Sequence, residues 1–522
     1  MSHSASLYES LLLDSDAPAR IRHSAAVIPW RRRQADGALE VYWVRRAAAV
    51  PFMGGWWAFP GGGLSRRDAG VTCLGQPRGL GQGQLTRPSP GLGDVDLEAL
   101  GPDEIPGLAI AALRELFEET GLWLGDRPTG DIDALRRKVL AKEATLGDAA
   151  AELGSTPNSS RLTFAGRWLT PPFAPMRFDN RFFLLEWPES EARQPTPDGH
   201  ELDHGEWIEP SLALERWRRG GVMAAPPILH TLTVLASDGP GHGLPRLLDT
   251  READLGPLRR IEFLPGLILL PLRTPTLPPA THTNTFILGR GRAVLIDPAP
   301  YAEAEKRRLL DALDAAREQG LTIEAIWVSH HHPDHIGAVL DAKRHLGVPV
   351  LAHRDTAEAL GSAIPVDGGL EDGQRVALDG LTVRVHHTPG HTRGHLSFEI
   401  EEHRALVAAD LVSTLSTIVI DPPEGDMHAY LTSLERMAAR DFKVLLPSHG
   451  PTTLEPTALL EKTRRHRLAR EEKVKIAHAS GLITAEAMVA EVYEDVPALM
   501  HPVACRQIEA HLTRLRRLGE IQ

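Results

Sequence analysis

A chain of 522 residues is too long for one hydrophobic core and implies about three to four domains. Its 42% hydrophobic and 24% charged residues are those of a globular protein, and a net charge of -12 argues against binding nucleic acid by bulk electrostatics, leaving only a local basic groove open. Two distant cysteines, Cys73 and Cys505, make no disulfide framework, the N-terminal MSHSASLYESLLLDSDAPAR lacks a signal-peptide pattern, and no apolar run reaches the roughly 18 residues of a membrane span, so a cytoplasmic location with no membrane partner is expected.

In chain order, SAAVIPWRRRQADGALEVYWVRR (24–46) predicts two strands joined by a turn at Asp36-Gly37. GGWWAFPGGGLSRRD follows as a glycine-rich loop, and residues 69–107, rich in Gly and Pro without periodicity, read as an inserted surface loop. GLAIAALRELFEETGLWL (107–124) predicts a helix, with further strands at 162–169 and 181–187 and a helix near Pro226-Pro227. Residues 237–260 mix Gly, Pro and charge and read as a linker. From 261 a second α/β pattern begins: strand 294–297, helix 302–320, strand 325–329, helix 336–346, then strands at 348–353, 381–388, 404–410 and 444–450. From about 460 the chain is helical and ends in RLGEIQ. The division expected is 10–236, a linker at 237–260, 261–455 and 460–522.

SHHHPDHIG at 329–337 follows directly on an apolar strand and has the spacing H-x-H-x-D-H at His330, His332, Asp334 and His335. Imidazole and carboxylate side chains turned to one point by a short loop suit zinc and similar divalent ions. Further candidates end later apolar strands: His391 in HTPGHTRGH, Asp410 in LVAADL and His449 in LPSHGP. In this order the set resembles the metallo-β-lactamase superfamily, hydrolases of a four-layer αβ/βα sandwich, over about 261–455. The resemblance implies that His330, His332 and His391 hold one Zn2+, that Asp334, His335 and His449 hold a second, and that Asp410 bridges them. It implies that Asp297 orients ligands, that His331 binds no metal and that His395 is no more than a nearby polar residue. A metal-activated hydroxide, oriented by Asp334, would attack a thioester or a phosphodiester. The surroundings resemble the glyoxalase II-like and beta-lactamase-like protein 2 branches. Residues 460–522 resemble the small helical, winged-helix-like tail of the latter, some of whose members cut single-stranded RNA. Arg514, Arg516 and Arg517 alternate with acids, and the aromatic Tyr493 is nearly alone, which favours a packing element over an RNA-binding face.

RELFEETGL at 114–122 sets Glu115, Glu118 and Glu119 at i, i+3 and i+4, so the three carboxylates share one helix face. Such a face repels itself unless cations occupy it, and oxygen ligands on a rigid helix suit Mg2+ or Mn2+ beside substrate phosphates. With FPGGG upstream, the segment resembles the Nudix box, in an α/β/α sandwich covering about 10–235. The resemblance implies metal ligation by Glu115, Glu118 and Glu119, one of them the general base, with Arg114 orienting a glutamate and Gly62 and Gly63 forming the loop that lets the helix start. Asp68 stands where the box has Glu, and the spacer to Arg114 is far longer than the usual seven residues. The insert, the flanking TPPFAPMRFDNRFF and GHELDHGEWIEP resemble the branch of peroxisomal coenzyme A diphosphatases, which makes Glu201 a further candidate metal or base residue.

The expected protein is a multidomain α/β fusion of two metal-dependent hydrolases acting on small molecules, a nucleotide or coenzyme A derivative and a thioester. The alternative is an endoribonuclease on single-stranded RNA, with the Nudix half as a nucleotide-sensing module.

Overall fold

The computed structural model describes residues 21–50, 53–68, 70–80, 104–170, 177–249 and 261–522. The chain forms two compact units, one running to Pro265 and one from Gly266 to Gln522. Among the described residues no helix is long and apolar enough to cross a membrane.

The first unit is built on a mixed sheet of β1 (Ile21–Arg32), β2 (Leu39–Arg46), β3 (Trp57–Ala58), β4 (Gly61–Gly63), β5 (Leu162–Leu169), β6 (Arg177–Glu186) and β7 (Leu202–Ile208). The order is β3-β2-β1-β6-β5, with β4 paired to β1 and β7 to β2. Successive side chains of a strand point to opposite faces. Ala25 and Val27 of β1 accordingly pack into one core, with Leu113, Leu116 and Phe117 of the helix Glu104–Thr120. Ala26 and Ile28 pack into the other, with Ile228, Leu232 and Leu235 of the helix Pro226–His242. A sheet covered on both faces is the expected α/β/α sandwich.

Four local expectations are corrected. The helix over 107–124 begins at Glu104 and stops at Thr120, because Gly121 takes a left-handed φ of 73° and its N–H closes on Phe117. Gly62 and Gly63 are not in a loop: Gly61–Gly63 pairs with β1, and the box helix starts far downstream. The expected insert is anchored at its start, where Leu74 bridges to Asn158 and Arg78 to Thr163, while Ala69 and residues 81–103 lie outside the described residues. The expected linker at 237–260 is helical at first: Pro226–His242 continues across a kink at Gly239 and Leu244–Leu248 follows, its Leu247 buried in the core; residues 250–260 lie outside the described residues.

The second half has two sheets. One runs β14-β13-β12-β11-β10-β9-β8, from β8 (Ile261–Leu264), β9 (Leu267–Arg273), β10 (His282–Gly289), β11 (Arg292–Ile296), β12 (Thr322–Val328), β13 (Val350–Ala352) and β14 (Gly368–Gly369). The other runs in sequence order from β15 (Arg375–Ala377) and β16 (Thr382–His387) through β17 (Leu396–Ile400) and β18 (Ala405–Ala409) to β19 (Val444–Pro447). Helices Glu303–Glu318 and Val339–Leu346 cover the first sheet through Leu309, Leu313 and Val339; Met427–Ala438 covers the second through Tyr430 and Leu434. Trp327 of β12 and Phe398 of β17 meet between the sheets with ring centroids 5.4 Å apart. β17, a strand not expected here, alternates apolar and polar residues (LSFEI) and is nonetheless buried at every position. The helix expected at 336–346 is two pieces, Pro333–Ile336 and Val339–Leu346. At Gly337 between them, a Cβ would lie 2.5 Å from the Tyr301 ring and 2.6 Å from the Ala299 carbonyl.

After β19 come helices Pro456–Ala479, Ala485–Val492 and His501–Arg517, which share a core of Val474, Met488, Ile508, Leu512 and Leu515. Among the described residues no strand follows β19, and the Leu518–Ile521 tail stays irregular.

Candidate functional site

The strand ends of the second unit bring the histidine motif and the later candidates together. Ligand atoms fall into groups whose members lie within 4.8 Å of one another: His330, His332 and His391; His330, His335 and Asp410; Asp334, His335 and His449. Asp410 stands between them. Its Oδ2 faces His391 Nε2 at 3.5 Å and His330 Nε2 at 4.0 Å, while Oδ1 faces His449 Nε2 at 3.3 Å and His335 Nε2 at 3.5 Å. Asp334 Oδ2 lies 3.4 Å from His449 Nε2.

The histidines are aimed from behind. His391 Nδ1 donates to the Val419 carbonyl at 2.7 Å, and His449 Nδ1 to the His282 carbonyl at 3.1 Å. His335 Nδ1 donates to Asp297 Oδ2 at 2.9 Å. The Ser329 hydroxyl donates to that same Oδ2 at 2.6 Å and so accepts from His330 Nδ1 at 3.0 Å. A proton held on Nδ1 leaves Nε2 with a bare lone pair, the tautomer that a ligand needs. The inward atoms His330 Nε2, His335 Nε2, His391 Nε2 and Asp410 Oδ1 are buried with no hydrogen-bond partner. Orphaned buried polar atoms are rare because they are costly, and a donor set of imidazoles and carboxylates is what a divalent ion would satisfy. Asp297 and Ala409, each beside this cluster, take left-handed φ values of 48° and 47°. That conformation costs a side-chain-bearing residue roughly 1–2 kcal/mol and gathers at functional sites.

The electrostatics divide the cluster. Burial holds His330 and His332 well below the usual imidazole range, with neighbouring imidazoles adding to it. For His449, burial is outweighed by the Asp410 and Asp334 carboxylates, which push it up to about 10; His335 is raised for the same reason. Asp334 is held at about 2, the charge of His335 and the hydrogen bond from His449 outweighing burial.

Three residues gain roles that the residue pattern does not mark. His395, expected as a bystander, is fully buried: its Nε2 accepts the Asp410 backbone N–H at 3.0 Å and its Nδ1 meets the Thr388 hydroxyl at 2.8 Å. Burial holds it neutral, at about 3. It therefore seats the backbone of Asp410. His331 belongs to none of the three groups around Asp410 and Asp334; its Nε2 lies 3.0 Å from Glu424, and with His332 and Glu424 it forms a further set of neighbouring ligand atoms. Val419 contributes only its carbonyl, which no sequence motif records. One more histidine group, His353, Asp355 and His387, has its imidazoles stacked 4.1 Å apart and 12° from parallel, with His387 Nε2 donating to the Arg393 carbonyl; parallel rings do not aim lone pairs at a common point.

In the first unit, the helix Glu104–Thr120 carries Arg114, Glu115, Glu118 and Glu119. Arg114 Nη1 donates to Glu115 Oε1 at 2.8 Å and to Glu118 Oε2 at 3.2 Å, and Nη2 to the Gly63 carbonyl at 2.8 Å. Its Nε donates to Asp68 Oδ1 at 2.7 Å. Asp68 thus sits behind the arginine and does not join the glutamates. Glu119 accepts the Gly61 N–H at 2.7 Å. Gly62 has no room for a side chain, since a Cβ would lie 2.3 Å from Glu115 Oε1. Among the described residues these glutamates do not converge as tightly as the histidine cluster. Burial pushes Glu118 up to about 7, the Arg114 charge opposing and the Glu115 charge adding, and burial raises Glu115 and Glu119 too, with the Glu201 charge adding to both. Several buried carboxylates share one arginine, and this surplus of negative charge fits a hard divalent cation.

Comparison with known proteins follows this division. The family description "Metallo-beta-lactamase superfamily" matches residues 278–449, "NUDT19 Nudix domain" matches 19–235, and "Beta-lactamase associated winged helix domain" matches 484–522. A beta-lactamase-like protein 2 homolog of Caenorhabditis elegans is 30% identical over 250 residues, 46% of this chain and 80% of that protein. An atrochrysone carboxyl ACP thioesterase of Passalora fulva is 29% identical over 223 residues, 40% of this chain and 63% of that protein. A crystal structure of a NUDIX hydrolase from Alicyclobacillus acidocaldarius is 28% identical, covering 42% of this chain and 93% of that one, with a TM-score of 0.35. Both families are hydrolases that use divalent metal ions. The chain belongs to the metallo-β-lactamase superfamily and joins to that hydrolase domain a NUDT19-type Nudix domain ahead of it and a β-lactamase-associated winged helix behind it.

Proposed function

We propose that the chain carries two separate hydrolytic centres, both directed at small molecules of the acyl-coenzyme A class. In the second unit, His330, His332 and His391 would hold one Zn2+, and Asp334, His335 and His449 another, with Asp410 between them. The observation that carries this is the division of Asp410, one carboxylate oxygen turned to each histidine group. When bound, such ions supply Lewis acidity and an acidic water. The chain's own part is positional. Asp297 and the Val419 and His282 carbonyls fix the imidazoles beforehand, and Asp334, beside His449, is placed to orient the attacking water.

In the first unit, Glu115, Glu118 and Glu119 would hold Mg2+ or Mn2+ against the diphosphate of a nucleotide derivative. Arg114 holds Glu115 and Glu118 in place, and Glu118 is the candidate general base. Gly62 leaves the space in which Glu115 sits. The coenzyme A assignment rests on the resemblance of this domain to coenzyme A diphosphatases. The thioester assignment is supported by the thioesterase name of a relative of the other domain. A cytoplasmic setting belongs to the same reading and is supported by two unpaired cysteines, Cys73 and Cys505. The basic residues of the C-terminal helices favour small molecules over RNA, since Arg514 is turned to Glu471 and Arg470 to Asp495.

The test is to incubate the purified chain with an acyl-coenzyme A. Free thiol reports the second unit and adenosine 3′,5′-bisphosphate the first. Asp410→Asn is expected to abolish only thiol release, and Glu118→Gln only bisphosphate release. Release of neither product by the wild-type chain sinks the proposal. Chelator-sensitive cutting of a labelled single-stranded RNA without either product would favour the nuclease.

A further inference from the structure

The C-terminal helices and a candidate metal ligand meet on one stretch of backbone. Between β18 and the helix Met427–Ala438 the chain crosses residues 411–426 without helix or strand. On one side of this segment the Val419 carbonyl takes the Nδ1 proton of His391. On the other side the residues flanking Val419 are gripped from the C-terminal helices. Arg467, of Pro456–Ala479, donates to the Ile418 carbonyl. Gln507, of His501–Arg517, makes a two-bond amide pair with Ile420, accepting its N–H at 3.2 Å and donating to its carbonyl at 3.1 Å. Arg467 also donates to Gln507 Oε1 at 3.1 Å, which ties the two grips together. Arg506 extends the hold to Asp421 and the Pro422 carbonyl.

These contacts are made at a cost. Arg467 is 2% exposed and Gln507 5% exposed. A buried guanidinium is ordinarily matched by a carboxylate, because its desolvation is expensive. Arg467 instead faces a backbone carbonyl, an amide and the Tyr430 ring at 5.7 Å. A helical cap needing only apolar contact would place a leucine at either position. What the arginine and glutamine supply, and a leucine would not, is a fixed backbone on both sides of Val419.

We propose that Gln507 and Arg467 are positioning residues of the metal centre. They hold the Val419 carbonyl and, through it, the ring and tautomer of His391, which makes the C-terminal helical module a working part of the site. The inference rests on the reading of His391 as a metal ligand. Partners that orient a ligand typically contribute about 10–100-fold in metal affinity.

The test uses the full-length chain loaded with Zn2+, or with Co2+ for its visible spectrum, and titrated with graded chelator. Wild type is expected to release two ions. In Gln507→Leu and Arg467→Met one ion is expected to leave at about 10–100-fold lower chelator, with a changed Co2+ band, while the other keeps its wild-type affinity. Arg467→Lys should recover part of the loss, and Arg516→Ala, an exposed position on the same helix as Gln507, should match wild type. Should the buried variants fail to fold, Arg506→Ala reaches the same segment from a part-exposed side chain and should shift the same ion in the same direction. Lowered unfolding temperature with both ions at wild-type affinity would overturn the inference alone. A wild-type chain that takes up no divalent ion would overturn the ligand reading and the inference with it.

Discussion

Arg114 turns its guanidinium Nε to Asp68, 2.7 Å away, and its Nη1 to Glu115 and Glu118. The residue that departs from the Nudix pattern is therefore the one that sets the direction of the arginine. Asp68→Ala should release Arg114, lower the diphosphatase kcat at least tenfold and destabilise the first unit by about 2 kcal/mol, the size of a lost charge-assisted hydrogen bond. Steady-state kinetics and denaturant unfolding read both. Unchanged kcat would show that Arg114 needs no such support.

Gly62→Ala tests the closest approach in the same unit. The added methyl would overlap the Glu115 carboxylate, so the glutamate must move. Loss of bisphosphate release with the far-ultraviolet spectrum unchanged is expected; thiol release, at the other centre, should persist.

Strong acid should destabilise the first unit through Asp179. This carboxylate is fully buried between Arg167 and Arg181. Burial pushes it up, but the hydrogen bonds from His23 and Arg167 and the charge of Arg181 outweigh that and hold it at about 2. A depressed carboxylate contributes its stability above the unfolded value near 4 and loses it as pH falls towards 2. Asp179→Asn should cost about 3–5 kcal/mol at neutral pH, since it strands buried arginines, and should flatten the stability profile between pH 4 and 2. An unaltered profile counts against this account.

His331 and Asp410 separate the motif from its neighbours. His331→Ala removes the contact with Glu424 and the ring contact with His332 and should keep both ions, whereas Asp410→Ala removes the group facing both histidine sets and should lose both. Metal analysis of the purified variants decides. A His331 variant as metal-poor as His330→Ala would mean that the register of the motif is misassigned.

Legibility followed the kind of group involved. His330, His332, Asp334 and His335 fall within six positions, Asp410 and His449 lie just past apolar strands, and His391 lies in the turn between β16 and β17, so the recurrence of ligand types brings them to notice. Glu115, Glu118 and Glu119 are readable because helical periodicity fixes their shared face. Val419 acts through a carbonyl common to every residue and leaves no trace in composition. Gln507 and Arg467 read as ordinary polar positions of helices until the segment beneath them is located. The three strand residues Gly61, Gly62 and Gly63 were expected in a loop because glycine is turn-prone; what places them in a strand is pairing with Ser24, Ala25 and Ala26 of β1, a distant partner that local pattern does not contain.

Asp297 accepts from His335 directly and from His330 through Ser329. Under the two-ion reading these histidines lead to different ions, so a single carboxylate is shared by both. Asp297→Asn is therefore expected to loosen both ions together, whereas a change at Gln507 or Arg467, which reaches only His391, loosens one.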